Sequence, residues 1–241
     1  VFLAGYIPIL FLSKNRDIKN QSKYFLTSFI IILLLSSISI TLFDQYNPSI
    51  FIGLFLFFWI MLNLIYELIK KIKMTGNMYF LAKNIGMYMA HLGLAVFILG
   101  ATMVENSKIE KEIILSPSDK VDINNYTFEF MNLTETEGPN YSAVIGHFRV
   151  FANNEFITDM YPEKRLYNSS EMPMTEAGID PGFTRDLYIT LGTMIDQDKW
   201  SVRIYHKPLI RLIWIGALMM VFGGIFSVLS KKRKTSMVTA S

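Results

Sequence analysis

Cysteine is absent from this chain of 241 residues, and only three histidines are present. The first absence excludes a structural disulfide and any site built on a thiolate, so thiol chemistry has to come from a partner. Three histidines are too few to build a metal site from the chain's own residues alone. Charge is also scarce, because 18% of the residues are charged and the formal net charge is +3. That charge is too small to indicate nucleic-acid binding.

Apolar residues dominate what is present. The chain is 51% hydrophobic and 14% aromatic, which is more apolar than an ordinary soluble domain. A membrane-spanning helix needs about 20 apolar residues. Four runs meet this need, and we predict three transmembrane helices within residues 24–104 (over 24–43, 50–69 and 85–104) and a C-terminal one over 209–229. The apolar run over residues 1–12 is predicted to be a truncated span, so we expect the chain to be the C-terminal part of a longer polypeptide.

Basic residues cluster in three of the segments that flank these spans. Lysines and arginines precede the first full span, lie between the second and third, and follow the last in the tail over residues 230–241. The positive-inside rule predicts that all three segments are cytoplasmic. The link 44–48 and the long segment 106–207 then lie outside, and the spans alternate without contradiction.

The segment over residues 105–207 differs from the rest because it is polar, with short alternating apolar runs between turn residues. Tyr126, Phe128 and Phe130 alternate with polar neighbours, and Phe148 and Val150 share a face opposite His147 and Arg149. Such runs predict a small antiparallel sheet or barrel. The predicted fold class is therefore a polytopic α-helical membrane protein with one small extracytoplasmic all-β, barrel-like domain. The irregular stretch 168–184 is either a binding loop or disordered.

One histidine, His91, lies inside the apolar run 85–104. If Lys83 marks one membrane interface, His91 is about 12 Å deeper at a helical rise of ~1.5 Å per residue. An ionisable side chain in hydrocarbon is costly and usually faces the interior of a helix bundle. Two interpretations stay open: a histidine bonded to a polar group on another helix, or an axial ligand of haem iron.

The same helix has a face of small residues. At about 100° per residue, one face carries Gly86, Ala90, Gly93, Phe97 and Gly100, and His91 lies on another. Small residues in this spacing allow a neighbouring helix to approach closely. We expect the glycine face to pack against another helix and the histidine face to border a pocket.

Charged residues and two more histidines are candidates in the β domain. Arg165, Arg185 and Arg203 either belong to a solvated face or bind carboxylates, such as haem propionates or acidic patches on a partner. His147 is interpreted as a solvent-facing side chain. His206, just before Pro208, is a weaker candidate for a ligand contact at the outer interface. No residue is assigned to acid or base catalysis.

Read together, the residues resemble a known family. Ala90-His91-Leu92-Gly93 in a span is similar to the CcmF family of cytochrome c-type biogenesis proteins, which are haem lyases. Further matches follow in the family's order: Gly138-Pro139-Asn140, Glu163-Lys164-Arg165 with Tyr167, Met174-Thr175-Glu176-Ala177, Ile179-Asp180, Arg185-Asp186-Leu187-Tyr188, Leu191-Gly192, Trp200 with Arg203, Lys207-Pro208, Trp214 and Gly223-Gly224. The resemblance is faint before about residue 85.

The resemblance implies a bacterial inner-membrane protein that holds haem b and assists its attachment to apocytochrome c. The residue at the position of His91 is an axial haem ligand in the family, and the second ligand and a tryptophan-rich haem-handling loop precede this chain. The implied partners are the haem chaperone CcmE, a CcmH-type thiol protein and apocytochrome c. The b haem is implied to deliver an electron that keeps the haem presented by CcmE ferrous, while the periplasmic β domain faces the substrate complex.

Three alternatives remain at this point. A paralogue that serves a nitrite-reductase cytochrome shares the same motifs. ResB of the other maturation system also flanks an outside domain with spans, although the ordered motifs are not those of ResB. A permease subunit of an exporter needs no haem, and His91 is then a packing residue.

Overall fold

The computed structural model describes residues 18–41, 47–75, 79–170, 172–196 and 198–238. The predicted span over residues 1–12 lies outside the described residues. The chain divides into two compact units, a helical unit (residues 1–106 and 210–241) and a β domain (residues 107–209).

The helical unit contains four helices in the described residues. They are α1 (Ile18–Ile40), α2 (Pro48–Thr75), α3 (Tyr79–Ser107) and α4 (Arg211–Val238). Pro48–Met74, Asn84–Ser107 and Arg211–Ser230 are long and apolar enough to cross a membrane, whereas the apolar part of α1 in the described residues is the shorter Leu26–Ile40. The backbone of α3 leaves helical geometry at Asn84 (φ −121°, ψ 16°), just before its apolar part begins.

The predicted glycine face of α3 packs directly on α4. A Cβ atom built on Gly93 would lie 2.7 Å from the carbonyl oxygen of Gly216, and one on Gly86 would lie 2.6 Å from that of Gly223. A Cβ on Gly100 would meet the Cβ of Leu212 at 2.7 Å. Backbone atoms leave no room for a side chain at these positions, so the prediction of a close-packing face is confirmed.

Ten strands form the β domain. They are β1 (Ile109–Leu115), β2 (Lys120–Ile123), β3 (Tyr126–Glu137), β4 (Tyr141–Ala152), β5 (Glu155–Met160), β6 (Glu163–Tyr167), β7 (Met174–Glu176), β8 (Gly178–Pro181), β9 (Arg185–Asp196) and β10 (Lys199–Pro208). One sheet has the order β1-β10-β9-β8, and the other has the order β2-β3-β4-β6-β7 with β5 also paired to β4. β7 and β8 fall inside the stretch 168–184, so the prediction of an irregular loop was wrong there.

The core of the β domain lies between the two sheets. Phe128, Phe130 and Phe148 from one sheet and Leu187 and Ile204 from the other are fully buried in one cluster. Their alternation with less buried residues follows the period of two that strands impose. The predicted class, an α-helical membrane protein with one small all-β domain, is confirmed, and the strands form two packed sheets.

Candidate functional site

His91 lies in the apolar part of α3 and is half-buried. Its Nδ1 atom is 2.8 Å from the carbonyl oxygen of Met87, one helical turn earlier. A carbonyl oxygen can only accept, so Nδ1–H is the donor and the neutral ring keeps its lone pair on Nε2. Among the described residues, no second hydrogen bond holds the ring. The imidazole is therefore oriented at one nitrogen and available at the other.

This arrangement fits a haem ligand better than a site for a free metal ion. A ligating histidine usually donates its other ring N–H to a carbonyl or carboxylate, which fixes the tautomer. In the part of the chain that the structure describes, no three His, Cys, Asp or Glu side chains come together to hold an ion. Haem iron brings four ligands of its own, so one imidazole from this chain is a sufficient contribution.

Helix α2 contacts α3 between His91 and the C-terminal end of α3, and it carries a buried polar side chain of its own. Ser49 Oγ donates to Asn106 Oδ1 at 3.1 Å, and Gly53 lies directly against Thr102. Asn63 of α2 is only 8% exposed and donates from Nδ2 to the carbonyl oxygen of Trp59 at 2.7 Å. Asn63 is not part of any motif recognised in the sequence, although an amide inside an apolar span is itself a signal.

Arg185 and His206 belong to one cluster at an end of the β domain. Arg185 Nε donates to Tyr126 Oη at 3.0 Å, and its Nη1 pairs with the Asp180 carboxylate. The ring of His206 is 5.7 Å from that of Tyr126. His206 is 8% exposed, and its Nδ1 is the one fully buried side-chain polar atom without a hydrogen bond in the described residues. Burial, aided by the positive charge of Arg185, lowers the pKa of His206, so the ring is neutral at pH 7.

Arg165 and Arg203 are also paired with carboxylates of their own sheets. Arg165 Nε donates to Glu163 Oε2 at 2.7 Å, and its guanidinium stacks over Tyr141 at 4.6 Å. Arg203 Nη2 donates to Glu112 Oε2 at 2.8 Å. This hydrogen bond, with the charge of Arg203, lowers the pKa of Glu112. The structure therefore places the three arginines in separate ion pairs and does not bring them together.

His147 lies on the outer face of β4, as the alternation predicted. Its Nε2 is 2.8 Å from Asp159 Oδ1, and its ring stacks on Tyr161 with centroids 4.9 Å apart. The side chain is 21% exposed. It is thus a partly solvated side chain that is hydrogen-bonded to a carboxylate on the outer face of the sheet.

Comparison with known proteins identifies the family. Residues 106–208 match the family described as the CcmF C-terminal β-sandwich. The cytochrome c-type biogenesis protein CcmF of Escherichia coli (strain K12) is 35% identical over 242 residues, which cover 99% of this chain and 37% of that relative. The chain belongs to the CcmF family. The resemblance drawn from the ordered motifs is thereby confirmed.

Other CcmF proteins agree with this assignment. The CcmF of Pseudomonas fluorescens is 35% identical over 194 residues, which cover 79% of the chain and 29% of that relative. A solved structure of a cytochrome c haem lyase CcmF matches 94% of the chain and 37% of its own length with a TM-score of 0.71 and 15% identity. At that identity the likeness is one of fold. The chain thus corresponds to the C-terminal portion of CcmF and spans 29% and 37% of these two curated relatives.

Proposed function

We propose that this chain is part of a haem lyase subunit of the cytochrome c maturation system, and that His91 is an axial ligand of a membrane-embedded haem b. The observation that supports the proposal is the hydrogen bond from His91 Nδ1 to the Met87 carbonyl oxygen. This bond leaves the Nε2 lone pair of a histidine in the apolar part of α3 available to bind iron. The relatives named as cytochrome c biogenesis proteins give this site its chemical context.

The chain's own residues hold and orient such a haem. Met87 fixes the tautomer of His91, and the glycine contacts with α4 fix α3, so the imidazole has a defined direction. The neighbouring side chains of α3 are apolar, so the imidazole is the polar group that this part of α3 would offer to the haem. Haem b, when bound, would supply one-electron transfer, which is the chemistry needed to keep haem ferrous for attachment to apocytochrome c.

The proposed location is the bacterial inner membrane, with the β domain in the periplasm. The bias of lysine and arginine toward the opposite loops supports this orientation. There the β domain faces CcmE, a CcmH-type thiol protein and apocytochrome c. Any thiol that takes part has to come from outside these 241 residues, because they include no cysteine.

Arg165, Arg185 and Arg203 remain proposed contacts for a partner or for haem propionates. Each already has a carboxylate neighbour in the β domain. Binding another carboxylate therefore requires that the neighbouring Glu or Asp be displaced or shared. Arg203, whose side chain is 45% exposed, is the most accessible of the three for such an exchange.

The test is the haem content of the full-length membrane protein. His91→Ala is expected to lose the b-type haem spectrum while the protein still inserts, because the ligand bond and the hydrogen bond that orients it disappear together. His91→Gly leaves space for exogenous imidazole, which is expected to restore the spectrum. His147→Ala, which removes a histidine from the β domain surface, is the matched control and retains the haem. A wild-type ratio of haem to protein in His91→Ala would exclude ligation by His91.

A further inference from the structure

The register between α2 and α3 shows which residue lies beside His91. Ser49 bonds to Asn106, and Gly53, four residues later, touches Thr102, four residues earlier. The two helices are therefore antiparallel, and each step along α2 matches a step back along α3. The same register brings Glu67 opposite Tyr88, with which it interacts electrostatically.

Asn63 is level with His91 in this register. It lies ten residues after Gly53 in α2, and ten residues before Thr102 in α3 is Leu92, the neighbour of His91. At a rise of ~1.5 Å per residue, the two side chains differ in height by about one residue. Asn63 is thus the polar residue of α2 nearest to the level of the imidazole.

The two side chains also turn toward the same side of the α2–α3 contact. At ~100° per residue, Asn63 is rotated by about 50° from the line through Ser49, Gly53 and Glu67. In α3, the residues that interact with those three are Asn106, Thr102 and Tyr88. About the axis of α3, His91 is rotated by about 50° in the same sense from their mean direction. In an antiparallel pair, rotations of the same sense turn both side chains to one side. Asn63 and His91 therefore border one groove.

Helix α1 borders this groove as well. Trp59, one turn before Asn63, packs edge-on against Phe29 of α1, with centroids 6.5 Å apart. The glycine contacts with α4 lie on the opposite face of α3 from Thr102 and His91. The groove is thus bordered by α1, α2 and α3, and His91 and Asn63 place an imidazole and an amide at this height.

The amide of Asn63 is not fully used by the chain. It can donate two hydrogen bonds and accept two, and within the described residues only the one to the Trp59 carbonyl is formed. Asn63 is 92% buried in a helix long enough to cross a membrane. An amide with unused capacity is costly in an apolar environment, so a polar group of a bound molecule in the groove would lower that cost.

We propose that Asn63 is a positioning residue of the His91 site, whose second Nδ2–H, not used in the bond to the Trp59 carbonyl, donates a hydrogen bond to a propionate oxygen of the haem that His91 would bind. This inference rests on the proposed function, because it concerns the same bound molecule. It adds a residue from a second helix to a site that the motifs assigned to α3 alone. It also explains why a polar side chain occupies the apolar run of α2.

The experiment compares three variants of the full-length protein. Asn63→Leu removes the amide at similar volume and makes the span more apolar, so insertion is preserved. Asn63→Gln keeps the amide on a longer stem. Thr102→Val is the matched control, because Thr102 is also 8% exposed and bonded to a carbonyl one turn earlier, but is about 16 Å from His91 along α3. The measurements are haem per inserted protein, apparent haem affinity and the midpoint potential of the retained haem.

The expected result is a loss of roughly tenfold or more in haem affinity for Asn63→Leu, as for other residues that orient a metal ligand or its partner. The midpoint potential of the haem in Asn63→Leu is also expected to shift. In Asn63→Gln, the haem affinity and midpoint potential are expected to stay closer to the wild-type values, and in Thr102→Val they are expected to equal them. Wild-type affinity and potential in Asn63→Leu would overturn the inference, as would an equal change in Thr102→Val or an equal loss in Asn63→Gln. These results can be distinguished from failure of the proposed function, because the proposed function fails only if His91→Ala retains haem.

Discussion

His91 and His206 show how the partners of an imidazole decide its chemistry. His91 donates from Nδ1 to a carbonyl of its own helix and keeps Nε2 available. His206 is more deeply buried, and its Nδ1 meets no donor or acceptor in the described residues. The first arrangement suits a ligand, because one nitrogen is fixed and the other is free. The second carries an energetic cost that changes with pH.

We predict that His206 makes the stability of the β domain depend on pH. Its pKa is lowered in the folded state by burial and then by Arg185, while the unfolded chain titrates near 6.5. Stability is therefore highest above about pH 6.5 and decreases as the pH falls, because the unfolded state takes up the proton first. His206→Phe removes the titration and the unsatisfied nitrogen together. The wild-type Tm is expected to fall between about pH 7.5 and pH 5.5 by more than that of the variant.

Fluorescence of Trp200, a buried residue of β10, is the measurement for this prediction. Replacing Trp59 and Trp214 with phenylalanine removes the other two indole signals of the chain. An identical pH dependence in His206→Phe would show that another group is responsible.

At the scale of elements, the α3–α4 contact depends on backbone atoms meeting backbone atoms. A Cβ on Gly223 would lie 2.5 Å from the amide nitrogen of Ala90, whereas one on Gly224 would meet nothing within 4 Å. We predict that Gly223→Leu lowers the level of inserted protein and that Gly224→Leu does not, because only the first side chain forces the helices apart. Gly93→Leu is expected to behave like Gly223→Leu.

Quantitative immunoblotting of membrane fractions measures both levels under the same expression conditions. Leu94→Gly is a further control, since it removes a side chain from α3 without placing one in the contact. Equal levels in Gly223→Leu and Gly224→Leu would mean that the glycine contact does not determine assembly.

The helices and strands of this fold could be predicted from the sequence more completely than the way in which they pair. Apolar runs predicted the helices, the spacing of Gly86, Gly93 and Gly100 predicted the close contact, and alternation around Phe148 predicted β4 and its buried face. These are local patterns with a period set by the backbone. The strand order and the two short strands in the stretch 168–184 were not predicted, because pairing depends on residues far apart in the chain.

The same limit applies to the candidate site. His91 was found because a histidine is conspicuous in an apolar run. Asn63 was missed because its relation to His91 exists only through the register of α2 against α3. The hydrogen bond from Arg185 to Tyr126 spans 59 residues of sequence, so no motif could have indicated it.

For the molecule as a whole, the chain enters and leaves the β domain at one end. Ile109, two residues after the end of α3, pairs with His206, five residues before the start of α4. Because the whole β domain lies between the end of α3 and the start of α4 in the chain, we expect these two helix ends to be on the same side of the membrane. This connectivity agrees with the alternation predicted from the lysines and arginines.

The topology itself is the last prediction. We expect the β domain to be outside and the α2–α3 link to be cytoplasmic, because Lys70, Lys71 and Lys73 lie in the last two turns of α2, next to that link. Ser118→Cys places a thiol on an exposed turn of the β domain, and Met74→Cys places one at a residue that is 69% exposed near the end of α2. Since the chain has no cysteine of its own, each variant of this chain carries a single thiol. A membrane-impermeant maleimide is expected to label Ser118→Cys in spheroplasts and Met74→Cys only after permeabilisation. The reverse pattern would invert the topology and place the β domain, with every contact proposed for it, in the cytoplasm.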